Sequence, residues 1–201
     1  MERIPPKLLL IFNLEGALCK RIYSAPASIT NTDPSPKLLL RNDLDGFLRW
    51  MFIKNKIFFK VGVWTDTTSE ATESLVGTVF GRFSGGLLFK YASPAEQGLK
   101  DLQRVWYNYP MFNDTTTVYI DYKDSVVQKK NQLLLKEFDD DKTLYMLQDY
   151  FRFFSYQYHF KKIHSLTDFM IKTPFIMFMN ESDKKAPENY TENSKFRNFT
   201  L

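Results

Sequence analysis

Cysteine is almost absent from this chain. The single one, Cys19, leaves no partner for an internal disulfide and excludes a cysteine-built zinc site. Histidine is nearly as scarce. His159 and His164 lie five apart, whereas a metal pair on a helix face needs a spacing of four, so both read as ordinary surface or core residues. Glycine is sparse too, eight in 201 residues. No window approaches 18 apolar residues, so no transmembrane helix is expected. The opening Met1-Glu2-Arg3-Ile4-Pro5-Pro6 has no apolar core of a secretory signal and no Arg/Ser-rich amphipathic pattern of a transit peptide. Asn-x-Ser/Thr triplets at Asn113, Asn180, Asn189 and Asn198 are therefore read as chance.

What the chain has in excess is aromatic residues. They make up 16% of it, with 19 Phe and 11 Tyr, enough for a substantial core with aromatic surface to spare. A 44% hydrophobic and 25% charged composition excludes a disordered chain, a collagen and a disulfide scaffold. The length fits one ordinary domain and is short for two. The net charge of +4 is unevenly spread. Residues 1–60 carry ten Lys/Arg against five Asp/Glu, residues 61–150 nine against thirteen, and residues 151–201 eight against five. A basic start, an acidic middle and a basic end do not make one nucleic-acid stripe, so no nucleic-acid partner is expected.

Apolar runs alternate with helical patterns along the chain. Residues 7–12, Lys-Leu-Leu-Leu-Ile-Phe, form a continuous run of the kind buried on both faces of a parallel sheet. Residues 22–36, with three Pro and many Ser, Thr and Asn, read as a loop or insertion. Asp43 is a candidate cap for a helix over 43–54, with Leu44, Phe47, Leu48 and Met51 on one face. Further strands are expected at 57–64, 87–89, 117–120 and 132–136. Helices are expected at 70–80 and 143–158, with a helical turn beginning near Lys100. The aromatic stripe from Tyr145 through Tyr150, Phe151, Phe153, Phe154, Tyr156 and Tyr158 to Phe160 exceeds one helix face, which favours a partner surface, with a core closed by a packed tail as the alternative. Residues 1–178 are expected to form the domain and 179–201 a polar tail.

Strands alternating with helices predict an α/β fold, a three-layer sandwich with a central, mostly parallel sheet flanked by helices. Sites in such folds form at the carboxyl ends of strands. The residues to inspect are therefore Asn13, Glu15, Thr65, Asp66, Asp121 and Tyr122, with Lys100 at the start of a helical segment.

Four segments carry a family resemblance. They are Leu8-Leu9-Leu10-Ile11-Phe12-Asn13-Leu14-Glu15-Gly16-Ala17-Leu18, Val61-Gly62-Val63-Trp64-Thr65-Asp66-Thr67, Leu99-Lys100-Asp101-Leu102, and Val118-Tyr119-Ile120-Asp121-Tyr122-Lys123-Asp124. In that order they resemble the haloacid-dehalogenase-like phosphatases. The nearest resemblance is to the FCP1-homology branch, which contains the RNA polymerase II C-terminal-domain phosphatases and the import receptor subunit Tim50. The stretch Asp140-Asp141-Lys142-Thr143-Leu144-Tyr145-Met146-Leu147 is similar to a segment of the Tim50-like members. The resemblance implies roles that this sequence departs from. Asn13 stands where the family has its nucleophilic Asp, and an amide is neutral and a poor nucleophile. Glu15 replaces the Asp that serves as general acid, adding a methylene, and Ala17 replaces a Thr. Tyr122 takes the place of a metal-binding acid or amide after Asp121, and a phenol is a poor Mg²⁺ ligand. Thr65 and Lys100 match the residues that bind phosphoryl oxygens.

The expectation is thus a catalytically inactive phosphatase-like domain, a structural or binding subunit of a larger protein assembly. No catalytic residue, metal or cofactor is expected: Asn13 and Glu15 are degenerate, as are the metal positions Asn13, Asp121 and Tyr122, and Thr65 and Lys100 are relics of a phosphate site. Glu15 is expected to pair with Lys100. The resemblance also implies a mitochondrial setting, with peripheral association to a membrane complex. Its alternatives are a Tim50-like import factor that binds presequences and, less favoured, a working Mg²⁺-dependent protein phosphatase with altered residues.

Overall fold

The computed structural model describes residues 7–22, 37–94, 98–136, 138, 142–159 and 163–184. Five strands form one sheet in the order β5-β4-β1-β6-β7: Lys90–Ala92, Phe59–Thr65, Leu8–Phe12, Thr117–Asp121 and Gln132–Leu134. All four pairings are parallel. The apolar run 8–12 becomes the middle strand, and every residue of it is buried. That is what a strand covered on both faces requires. Its alternation splits the core in two. Leu8, Leu10 and Phe12 face one layer, formed with α1 (Leu44–Arg49), α2 (Ser69–Phe80), α4 (Thr143–His159), α5 (Leu166–Lys172) and α6 (Phe175–Lys184). Leu9 and Ile11 face the other layer, which holds Trp64, Phe89, Phe112, Tyr119 and Val105 of α3 (Gln103–Asn108). The α/β sandwich expected from the sequence is the fold observed.

Close packing in the second layer depends on Gly62. A Cβ there would sit 2.4 Å from the Phe89 ring, which stacks on Tyr91 at 4.5 Å and Tyr109 at 5.4 Å. Gly62→Ala is expected to cost about 1–3 kcal/mol, the usual penalty for overpacking a tight core. Urea denaturation of the variant checks it, with an unchanged midpoint as the contrary result.

Several boundaries differ from expectation. A two-stranded antiparallel hairpin, β2 (Cys19–Ile22) with β3 (Lys37–Leu40), brackets the expected loop, whose residues 23–36 lie outside the described ones. Arg41, 5% exposed, anchors this hairpin. Its Nε donates to the Ala17 carbonyl at 2.7 Å, and its Nη2 donates to the carbonyls of Gly16 and Lys136 at 3.1 and 2.8 Å. Asp43 occupies the cap position of α1, but in a left-handed conformation (φ 55°) and with no side-chain cap bond. The helix is α over 44–49 and continues as a π-turn over Trp50–Lys54. The strand expected at 87–89 forms instead at Lys90–Ala92. Lys100 begins no helix. It pairs as an isolated parallel bridge with Val126, and α3 starts at Gln103.

The aromatic surplus of α4 is largely consumed inside the protein. Tyr150, Phe151 and Phe154 are fully buried, and Phe153 packs on Phe169 and Phe178 from α5 and α6. This corrects the expectation of an aromatic partner face on α4. The two short helices that cover it, α5 and α6, carry no expectation from the sequence. Tyr145 is the one large α4 side chain left substantially exposed among the described residues, and Phe160 lies outside them. α6 runs to Lys184, so the tail expected from 179 is helical at its start, and residues 185–201 lie outside the described ones. No helix among the described residues is long and apolar enough to cross a membrane.

Candidate functional site

Three adjacent strands end at the same level. β1 runs into Asn13, β4 ends at Thr65 before Asp66, and β6 ends at Asp121. Register puts Phe12 beside Val63 and Ile120, so the residues that follow must converge. The Asn13 backbone N–H continues the ladder by donating to the Ile120 carbonyl at 3.0 Å.

The Asn13 amide sits at the centre, 2% exposed. Its Nδ2 lies 3.2 and 3.1 Å from the two oxygens of Asp121 and 3.2 Å from Oδ2 of Asp66. An amide nitrogen carries two N–H groups, so the three acceptors share them. Asp121, fully buried, also accepts from Ser125 Oγ at 2.6 Å and from the Tyr122 backbone N–H at 2.7 Å. Burial nevertheless dominates, and it raises the Asp121 carboxyl above its usual range against the pull of those donors and of Lys100.

Asp66 is the second carboxylate. Lys100 Nζ donates to its Oδ1, and Lys123 Nζ lies 3.2 Å from its Oδ2. Burial alone would raise the Asp66 carboxyl, but the hydrogen bond and charge of Lys100, joined by Lys123, outweigh it and hold the carboxyl below the ordinary range. The Lys100 side chain is 2% exposed, and its ammonium sits 5.2 Å from the Tyr119 ring centre. The Lys100 backbone N–H donates to the Ser125 carbonyl, and the Val127 N–H donates to the Lys100 carbonyl, both at 2.9 Å. The lysine is therefore positioned by an extended bridge, not by a helix.

The other expected residues point elsewhere. Glu15 pairs with Arg21 at 2.7 Å on the hairpin, not with Lys100 as expected. The reason is placement: one residue past Leu14 the chain has turned toward β2, where Arg21 is in reach, while Asp66 already holds the lysine. Ala17 is buried in the core. Thr65 is fully buried, and its hydroxyl is spent on Thr72 at 2.7 Å and Thr67 at 3.1 Å, at the first turn of α2. The cap of that helix is Thr68, which accepts from the Ala71 N–H. Tyr122 is 40% exposed and lies over Gly16. Gly16 has φ +84°, and a Cβ on it would be 2.0 Å from the Tyr122 ring, so the pair requires glycine there. Cys19 is buried, and burial together with the charge of Glu15 pushes its thiol up to about 12, which makes it inert. His164 is exposed, and the side chain of His159 lies outside what is described.

Asn13, Lys100, Asp121 and Asp66 are all expected near strand ends from the sequence, Asp66 without a chemical role, while Lys123 and Ser125 carry no expectation. A signal was present, since Asp66 directly follows a strand-end Thr and Lys123 and Ser125 fall within four residues of Asp121.

The resemblance implies Mg²⁺ for working members, and this donor set does not fit it. Mg²⁺ demands near-octahedral oxygen ligands and usually carboxylates. Here the amide turns its N–H groups toward both carboxylates, Asp121 is saturated with donors, Asp66 is held by two lysines, and Glu15 faces Arg21. Among the described residues no group of three or more His, Cys, Asp or Glu gathers as a metal site.

No protein-family model matches this chain, and no curated protein matches it. Solved structures do. The fission yeast RNA polymerase II CTD phosphatase Fcp1 bound to beryllium fluoride aligns over 66% of this chain with 14% identity and a TM-score of 0.49. A second structure of Fcp1, described as an essential RNA polymerase II CTD phosphatase, aligns over 66% with 13% identity and a TM-score of 0.48. The aligned part spans 42% of each of those chains, less than half their length. At these identities and scores the likeness carries neither activity nor substrate to this chain.

Proposed function

We propose that this chain is a phosphatase-like α/β domain that does not turn over phosphate esters and serves as a protein-binding or structural subunit of a larger assembly. One observation carries the first half. The residue in the nucleophile's place is a neutral amide whose N–H groups are already given to Asp66 and Asp121. No described carboxylate is left to attack phosphorus in line, and the anion-binding lysine is occupied. Glu15 keeps an acid function, but its salt bridge to Arg21 turns it away from the cluster.

A surface supports the second half. Leu134 on the edge strand β7, with Ile171 of α5 and Ile176 of α6, leaves large apolar side chains exposed around one groove. Such a patch is the usual mark of a contact surface. Mitochondrial placement enters this proposal through the family resemblance alone.

The two halves are tested separately. Purified protein is expected to hydrolyse aryl phosphates and phosphopeptides no faster than buffer with Mg²⁺, Mn²⁺ or Co²⁺. Metal-dependent turnover lost in Glu15→Ala or Asn13→Ala would overturn the first half. On a blue-native gel of a gentle extract, the chain is expected far above 23.7 kDa, and migration alone would count against the second.

A further inference from the structure

Three donors from three places converge on one carboxylate. Lys100 Nζ donates to Oδ1 of Asp66, while Lys123 Nζ and Asn13 Nδ2 each lie 3.2 Å from Oδ2. Two ammonium groups and an amide at a strand's carboxyl end are the donor set of an oxyanion site. The Lys100 backbone is fixed by bonds at its N–H and its carbonyl, and its side chain is 2% exposed, so burial holds the ammonium at this carboxylate. We infer that Asp66 is an anion supplied by the chain itself, occupying the place of a phosphate- or sulfate-class oxyanion and closing a latent site for one. The inference rests on the reading that this cluster is not a working phosphatase centre.

Two physical terms make the closure effective. The carboxylate is tethered at the end of β4, so it competes at a high effective concentration and pays little entropy on pairing. The cluster also balances its charges, with Lys100 and Lys123 against Asp66 and Asp121. An entering dianion gains no net attraction and meets two like charges. The position is reachable, because the Asp66 side chain is 23% exposed and that of Lys123 45%. Removing the Asp66 charge leaves the cluster net positive, with room where the carboxylate was.

The test is the thermal midpoint of the full chain against inorganic phosphate, with chloride at matched ionic strength as reference. The wild type is expected to show no shift beyond chloride. Asp66→Ala is expected to show a saturable rise in midpoint, as for any ligand bound only by the folded state. That rise should vanish in the Asp66→Ala, Lys100→Met double variant. A saturable wild-type response that Lys100→Met removes would overturn the inference, and so would a folded Asp66→Ala with no response. Should Asp66→Ala fail to fold, Asp66→Ser, which offers a hydroxyl in the same space, is read in the same way. If neither folds, the lysine ammonium resonances of the wild type decide: a phosphate-dependent shift of Lys100 overturns closure and its absence supports it. Failure here is distinct from failure of the reading it rests on, since that reading is overturned by hydrolysis by the wild type and not by phosphate binding.

Discussion

Asn13→Asp is expected to be among the most destabilising single substitutions in this protein, although it adds no atom of bulk. It puts a third carboxylate within hydrogen-bond distance of Asp121 and Asp66, at a position 2% exposed. The two N–H donors vanish and an unpaired buried charge takes their place, a change that typically costs about 3–5 kcal/mol. For a chain of this size each kcal/mol moves the melting midpoint by roughly 2–4 °C. The loss is expected to depend on pH. Neighbouring like charges and burial raise the folded-state pKa of the new carboxyl, so the penalty is absent below the ordinary carboxylate range and grows as pH rises through the raised value. The three acids will titrate as a group. Three convergent carboxylates also make a cation site, so Mg²⁺ or Ca²⁺ is expected to raise the midpoint of the variant and leave the wild type unmoved. Melting curves from pH 4 to 8, with and without the cations, measure all of this. A variant as stable as the wild type at pH 8 would show that the amide does not bridge the carboxylates.

In the wild type the two acids pull in opposite directions. Asp66, held below the usual range chiefly by Lys100 against the cost of its burial, contributes stability that is present above the ordinary carboxylate pKa and lost as pH falls through its lowered one. Asp121, raised by burial, contributes stability that is present at low pH and lost as pH rises through its raised value.

Tyr150→Ala is expected to lower stability by about 3–5 kcal/mol, as removal of a large buried aromatic does. The ring is the hub of the helical layer: it meets Phe169 at 4.8 Å, Phe175 at 5.2 Å and Phe178 at 5.3 Å. These belong to α5 and α6, so the loss should fall first on those helices. Faster hydrogen exchange or proteolysis in 163–184 would report it, and uniform loosening of the whole chain would contradict it. Tyr150→Phe separates the hydroxyl from the ring. The hydroxyl donates to the Thr173 carbonyl at 2.6 Å, just past the end of α5, and its loss is expected to cost about 1 kcal/mol. Burial also pushes this phenol well above its usual range, so no ionisation of Tyr150 enters the pH profile.

The three central strands and the two long helices are legible because each carries a local signal, whereas the edge strand expected at 87–89 forms at Lys90–Ala92. The run 8–12 is apolar at every position since both faces are covered, and 143–158 is periodic since one face is. The hairpin at 19–22 and 37–40 was not legible. Its strand Cys19-Lys20-Arg21-Ile22 is short and mixed, and a tertiary anchor, Arg41, holds it to backbone carbonyls distant in sequence. At the cluster, strand ends picked out Asn13, Thr65 and Asp121, because topology alone brings them together. The partners of Glu15 and Lys100 were not legible. Pairing among several acids and bases depends on a turn of the chain, and here it gave Glu15 to Arg21 and Lys100 to Asp66.

The cross-bracing of three strand ends has a kinetic consequence. The rim of a working α/β enzyme is drawn from the least stable part of the molecule, because it must open and close around its ligand. Here the carboxyl ends of β1, β4 and β6 are tied to one another by Asn13, Asp66 and Asp121, and to the segments at Lys100 and Lys123 by ion pairs. None of these strands can peel away without breaking the others' bonds. The Asn13 amide proton, on the Ile120 carbonyl, then exchanges with solvent only when the whole domain unfolds, alongside those of the central strand. The rim behaves as part of the keel of this protein, a rigid platform on which outer surfaces are displayed.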